Sequence, residues 1–302
     1  MMGTLSRRRF LAASVLAAGA GEFQTPLAAA SESEDSGFSI SLNELSLSRA
    51  LSSGQLDHLD LARIAKTRFH VPAVEYASRF FREQVNDEKY LMEMNRRAAD
   101  QDVRQLLIVV EGEGRLGDPD ADVRKKAVGN HHRWVDAAEA LGCHSIAVDA
   151  AIAGAPEEQL GRVAEAVHAL CEYAERHHIN VLVGDRIERP AGADWLLRVI
   201  RRVQHPACGA LPSFACLAAS KRDEDVVRLV GLAKGVGATS RDFDAAGRET
   251  HVDFFRIVSL VLGGGYRGYV GIAYQGDTLS ETEGIRATKA LLEAARSDAK
   301  PS

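Results

Sequence analysis

The sequence predicts an α/β chain whose eight strand–helix units close into a single (β/α)₈ barrel. Three observations carry that expectation. Short apolar runs alternate with longer helical patterns eight times along the chain. Runs such as Ile108-Val109-Val110 and Val181-Leu182-Val183 are apolar at consecutive positions, as strands are when both faces of a parallel sheet are covered. The length also fits: 302 residues less an N-terminal leader of 30 leave 272, against about 250 for a typical barrel of this kind.

In chain order, residues 1–30 read as an export signal. Arg7-Arg8-Arg9 precede a short apolar stretch starting at Phe10, too short to span a bilayer, which takes roughly 20 apolar residues. Ala28-Ala29-Ala30 supplies a cleavage site of the A-x-A type. The block Ser6-Arg7-Arg8-Arg9-Phe10-Leu11, ahead of an alanine-rich and weakly apolar segment, resembles a twin-arginine signal. The mature chain is therefore expected outside the cytoplasm, in the periplasm or beyond, with no transmembrane segment once the signal is removed. A polar linker, residues 31–37, leads into a barrel expected over residues 38–298.

The strands are expected at Phe38–Leu42, Ala73–Tyr76, Gln105–Glu111, Ser145–Asp149, Asn180–Gly184, Gly209–Pro212, Lys234–Thr239 and Tyr269–Tyr274. Between them, apolar residues recur at helical spacing. One such pattern spans Leu56 to Phe69. A second spans Val123 to Leu141, with Val128, Trp134, Val135 and Ala138 on one face, and a third spans Leu160 to Ala174. The last helix, Glu281 to Ala295, follows Ser280, with Glu283 in the position that completes a capping box. Gly263-Gly264-Gly265 follows an apolar helix and is expected to end it. No G-x-G-x-x-G follows the first strand, which disfavours a dinucleotide fold.

Composition narrows the function classes. The chain is 46% hydrophobic and 26% charged, ordinary for a globular protein, and with only 6% aromatics its core must rest on Val, Leu, Ile and Ala. The formal net charge is −5, and loss of the leader with its three Arg and Glu22 moves it to −7. Nucleic-acid binding normally needs a basic face, so no such partner is expected. The four cysteines form no zinc motif. Cys216 reads as a small buried thiol, and Cys208 and Cys216 are close enough in sequence to bridge after export.

Barrel enzymes place their chemistry at the carboxyl ends of the strands. The residues closing the apolar runs are Glu44, Glu75, Glu111, Asp149, Asp185, Ser213, Asp242 and the step Ala273-Tyr274-Gln275. They are the candidates for a cleft. Two roles are open to Glu44 and Glu75: lining the mouth and bonding sugar hydroxyls, or pairing structurally with an arginine. Asp185 and Asp242 read either as cleft acids or as solvated loop acids. His131 and His132 fall in a strongly charged helix and are assigned to its surface or N-terminal part rather than to chemistry.

Four segments carry a family likeness. They are residues 106–120 (LLIVVEGEGRLGDPD), 124–138 (RKKAVGNHHRWVDAA), 140–146 (ALGCHSI) and 265–292 (GYRGYVGIAYQGDTLSETEGIRATKALL). On these the chain resembles the sugar phosphate isomerase/epimerase family of xylose isomerase-like barrels, over essentially the whole mature length. The resemblance implies one divalent cation held by carboxylates and a histidine at the strand ends. It also implies paired glutamates that shuttle a proton between neighbouring sugar carbons.

Residue by residue, this chain departs from that pattern. Where the family reads E-N-H-G-G after the fifth strand, Gly184 stands at the glutamate. Where it reads L-P-D-F-G-N-F after the sixth, this chain has L-P-S-F-A-C-L, with Ser213 at the aspartate and Cys216 at the asparagine. The seventh strand gives A-T-S-R, with Thr239 and Arg241 in place of the family's polar step. The eighth gives I-A-Y-Q-G for I-E-Y-E-G, with Ala273 at the glutamate and Gln275 at the next acid, and Ala147 stands at the fourth strand's arginine. Gly184, Ser213 and Ala273 supply no carboxylate oxygen for a hard cation. No cofactor is therefore expected, with Mn²⁺ or Mg²⁺ only if a site has been rebuilt around Asp149, Asp185 or Asp242. The expected function is that of an exported, non-canonical or non-catalytic homologue binding a small carbohydrate. The alternative is an active isomerase or epimerase with a relocated metal.

Overall fold

A computed structural model describes residues 37–149, 156–184 and 192–299 of the chain. The proposed leader and Asp185 lie outside these residues. Eight strands run in order: β1 (Ser39–Asn43), β2 (Ala73–Ala77), β3 (Arg104–Val110), β4 (Ser145–Asp149), β5 (Asn180–Gly184), β6 (Cys208–Leu211), β7 (Val236–Ser240) and β8 (Tyr269–Tyr274). All pairings are parallel, in the order β6-β5-β4-β3-β2-β1-β8-β7. Bridges Ala210↔Ala233 and Ser213↔Gly237 close the ring between β6 and β7. The expected barrel is the fold.

The strand boundaries differ from expectation by one or two residues at β1, β2, β3, β6 and β7, each for a local reason where one is visible. Phe38 precedes β1 because its ring is buried beneath the Arg296 guanidinium, which also donates to the Phe38 carbonyl at 2.6 Å. Lys234 precedes β7 because its amide reaches across to the Ala210 carbonyl of β6 at 3.1 Å.

The helices are α1 (Ser48–Ser52), α2 (Leu61–Phe69), α3 (Glu88–Asp100), α4 (Ala121–Ala140), α5 (Pro156–Glu175), α6 (Ala193–Val203), α7 (Phe214–Ala218), α8 (Asp223–Val230), α9 (Phe254–Gly263) and α10 (Glu281–Asp298). Their starts follow side-chain chemistry. Asp87, Asp120 and Asp253 accept from backbone N–H groups in the first turns of α3, α4 and α9, and Ser280 with Glu283 forms the expected capping box of α10. The pattern from Leu56 to Phe69 is broken because Asp57 caps a separate 3₁₀ turn, His58–Asp60, before α2 begins. Gly264 ends α9, as the glycine run anticipates.

Two apolar layers hold the barrel. One lies between strands and helices. There α6 buries Trp195, Leu196, Val199 and Ile200, each contributing about 1.5–3 kcal/mol, and the wholly buried Trp134 of α4 meets Phe81 edge-on at 5.2 Å. The other fills the bore with Ala73, Leu106, Leu107, Ala147 and Leu182. That plug closes the barrel below and leaves the carboxyl ends of the strands open above it. Cys208 opens β6 while Cys216 sits in α7 beyond the strand's far end, so the two do not bridge.

Candidate functional site

A cavity of about 970 Å³ opens at the carboxyl ends of the strands. Its wall changes character around the ring. The side fed by β1, β2 and β3 carries Asn43, Glu75, Arg79, Glu111, Glu113 and Arg115. The strand ends of β5 to β8 carry Gly184, Ser213, Thr239, Ala273 and Tyr274, followed by Gln275 and by Glu281 at the start of α10. Asp149, at the end of β4, stands between the two.

Glu75 is 2% exposed and accepts from Ser41 Oγ at 2.6 Å and Asn43 Nδ2 at 3.0 Å. Burial raises its pKa, against the pull of those two bonds. Its carboxyl lies over Gly271 of β8, where an added Cβ would clash with both carboxylate oxygens, so glycine there makes room for the acid. Glu75 thus meets the cavity, and its partners are a serine and an asparagine rather than an arginine. Glu111 does take the arginine role: Arg79 grips it through two bonds, Nε to Oε2 at 2.7 Å and Nη2 to Oε1.

Glu44 fits neither expected role. It opens a 3₁₀ turn capped by Asn43, and that turn drives its side chain away from the mouth. It is fully buried, accepts from the Ala77 amide at 2.9 Å, and places Oε1 3.3 Å from His58 Nε2. Burial pushes the Glu44 carboxyl well above its ordinary value and lowers His58 to about 4. Burial thus disfavours the charged form of both partners, and His58 Nδ1 is in turn 2.8 Å from the Tyr90 hydroxyl.

Asp242 is likewise outside the cavity wall. Its Oδ2 lies 3.2 Å from His251 Nε2 and its Oδ1 accepts from Thr278 Oγ1 at 2.9 Å. These bonds, the histidine's first, hold its pKa below the usual carboxylate value. Tyr274 touches the wall but is only 2% exposed, and its hydroxyl is committed to the Leu279 backbone, donating to O at 3.1 Å and accepting from N at 3.2 Å. Ser213 lines the cavity while its Oγ caps α7, accepting from the Cys216 amide at 3.0 Å.

Glu113 and His131 are among the wall residues that the sequence did not single out for the cleft. Glu113 is 6% exposed, and its Oε1 accepts from Arg133 Nη2 at 2.7 Å and Trp134 Nε1 at 3.0 Å. His131, assigned from sequence to a helix surface, is 3% exposed and lines the cavity. The signal for it was present: His131 lies three residues before Trp134 and four before Val135, on the apolar face of α4. Its Nδ1 is 2.7 Å from the Ala127 carbonyl, and burial lowers its pKa. His132 instead stacks on Tyr173 at 3.7 Å.

A sequence model described as xylose isomerase-like TIM barrel matches residues 69–296, three quarters of the chain. The chain belongs to the xylose isomerase-like TIM-barrel family. None of the curated proteins matches it. Among solved structures, this family member is similar to 3-keto-D-glucoside 4-epimerase from E. coli, with a TM-score of 0.64 and 14% identity over 79% of this chain and 94% of that one. It is similar to L-ribulose 3-epimerase, with a TM-score of 0.67 and 15% identity over 87% and 97% of the two chains. It also resembles the IOLI protein in a structure with a zinc atom, with a TM-score of 0.66 and 11% identity over 86% and 99%. At these identities the likeness shows the fold. In this xylose isomerase-like barrel, no three His, Cys, Asp or Glu side chains among the described residues are grouped to hold a metal ion. No helix among those residues is long and apolar enough to cross a membrane.

Proposed function

We propose that this chain is an exported barrel that binds a small carbohydrate in the strand-end cavity without the divalent-cation chemistry that its family resemblance implies. One observation carries the reading. The ends of β5, β6 and β8 bring Gly184, Ser213 and Ala273 to the same cavity, and these are the positions where the resemblance puts carboxylates. A hard cation needs several oxygen ligands with compensating negative charge, and these three offer one neutral hydroxyl, already used as a helix cap.

Backbone strain does not explain the loss at Gly184. A Cβ there would meet Leu211 O at 3.6 Å and Val148 O at 3.7 Å, ordinary contacts that a glutamate backbone tolerates. Of the acids from which a site could be rebuilt, Asp242 stands off the cavity wall with His251 and Thr278, while Asp149 lines the cavity but belongs to no group of three His, Cys, Asp or Glu side chains among the described residues. The carbohydrate assignment rests on the polar wall, dense in hydrogen-bonding groups, and on structural neighbours that act on sugars: one a 3-keto-D-glucoside 4-epimerase, one an L-ribulose 3-epimerase.

The reading is tested on purified mature protein by elemental analysis and by calorimetric titration with Mn²⁺, D-fructose and D-glucose. Sugar binding that is unchanged by chelator is the expected result. One equivalent of tightly held metal would defeat it and favour the relocated-site enzyme. Export rests on Arg7 and Arg8. Changing both to Lys should trap an unprocessed precursor in the cytoplasm, visible on an immunoblot, and normal processing would reject the twin-arginine route.

A further inference from the structure

The charged wall contains two acceptor atoms whose own chemistry says what they can take. His131 Nδ1 sits 2.7 Å from the Ala127 carbonyl oxygen. A carbonyl only accepts, so the proton is on Nδ1 and Nε2 carries a bare lone pair. The ring is anchored to its own helix on the Nδ1 side and is nine-tenths buried, yet it lines the cavity. Nε2 is therefore the ring atom available to an occupant.

Glu113 stands beside it, close enough that its charge acts on the imidazole. The Asn130 amide, one residue before His131, holds the Glu113 carbonyl at 3.0 Å. Arg133 at 2.7 Å, Trp134 at 3.0 Å and Arg82 at 3.7 Å all approach the same carboxylate oxygen, Oε1. None of these reaches Oε2. Gly112 and Gly114, at φ 72° and 107°, give the loop the left-handed turns that bring Glu113 back against α4.

We propose that His131 Nε2 and Glu113 Oε2 form a hydroxyl-reading subsite, accepting hydrogen bonds from two hydroxyl groups of a polyol. Both atoms accept and neither donates, so the pair takes O–H or N–H donors and disfavours phosphate or carboxylate at this point of the wall; on the carbohydrate reading those donors are hydroxyls. The inference rests on the carbohydrate reading above and adds which atoms bind and which ligand chemistry they select.

The test has an arm that needs no ligand. Diethyl pyrocarbonate acylates unprotonated imidazole nitrogen that it can reach. In free wild-type protein at neutral pH, mass mapping should find His131 modified at least tenfold faster than His58, which is similarly buried but has its Nε2 against Glu44. In the second arm, D-fructose and D-glucose are titrated into wild type and His131→Phe, and the ¹⁵N resonance of His131 Nε2 is followed in the wild type. The expectation is about tenfold weaker binding in the variant, one hydrogen bond's worth. In the wild type the Nε2 resonance should shift on sugar addition, a readout that survives if the variant does not fold. An inert His131 in a protein that binds sugar overturns the subsite and leaves the carbohydrate reading intact. A reactive His131 with no affinity for either sugar overturns both. Sugar binding with no ¹⁵N shift overturns the subsite alone.

Discussion

The two sides of the cavity wall contrast in chemistry. From β1 to β3 the wall is crowded with charge, and its groups are held by partners: Arg79 with Glu111, Arg133 and the Trp134 indole with Glu113, Ser41 and Asn43 with Glu75. From β5 to β8 the strand ends are uncharged, with Gly184, Ser213, Thr239, Ala273 and Tyr274, and Glu281 of α10 adds an acid beyond them. A barrel's strand ends tolerate such asymmetry because the bore plug and the helix layer carry stability independently of the mouth. The contrast teaches that the strand ends of β5 to β8 carry few of the contacts that hold the fold, whereas the charged side is woven into α4.

The most forceful way to break that contrast is to restore charge to those strand ends. Gly184→Glu, Ser213→Asp and Ala273→Glu together should raise Mn²⁺ affinity at least a hundredfold by calorimetry. Asp at 213 keeps the cap on α7, so the variant should still fold. No gain in affinity would show that the positions do not converge as described.

Cutting the charged side should instead damage the fold. Glu113→Ala strips a buried acceptor from Arg133 and Trp134 and is expected to cost about 3–4 kcal/mol in urea denaturation. A loss below about 1 kcal/mol would mean that the cluster is ornamental to stability.

The Glu44–His58 pair, on the same side, should write a pH signature. His58 falls from 6.5 unfolded to about 4 folded, so its contribution is complete above pH 6.5 and is lost as pH falls toward 4. The limb amounts to about 3 kcal/mol at most, from 1.36 kcal/mol per unit. Glu44 works oppositely: its raised folded value means stability declines as pH rises above 4.5. Denaturation of His58→Phe between pH 6.5 and 4 should show a slope shallower by up to one proton, and an unchanged slope would contradict burial of His58 as an uncharged imidazole. The smallest effect belongs to the half-exposed Arg79–Glu111 pair, where Glu111→Gln should cost under about 1 kcal/mol because water screens it.

Much of the fold was legible because its cause is local. The run Tyr269–Tyr274 is apolar at consecutive positions and is a strand over those residues, and Ser280-x-x-Glu283 caps a helix as its spacing requires. The site was legible where backbone position alone places a residue, as at Gly184, Ser213 and Ala273. It was not legible where a turn decides which way a side chain points. Asn43 caps the turn after β1 and faces the cavity while Glu44 rotates under β2, and no periodicity distinguishes the two. In the same way, two positive-φ glycines decide that Glu113 is buried against α4 while Glu111 stays at the rim.

The seam between β6 and β7 carries one further consequence. Only a few backbone bonds cross it, among them Ala210 N to Leu232 O, Lys234 N to Ala210 O and Gly237 N to Pro212 O. The neighbouring strand pairs are laddered along four or five residues. This makes the seam the natural place for the ring to breathe, and amides of β6 and β7 facing it should exchange with deuterated solvent sooner than those of β4. Because Ser213 and Gly237 sit at the upper end of that seam and both line the cavity, an occupant resting on them would act as a clasp. Occupancy would then register as slowed exchange in a part of the backbone remote from the charged wall.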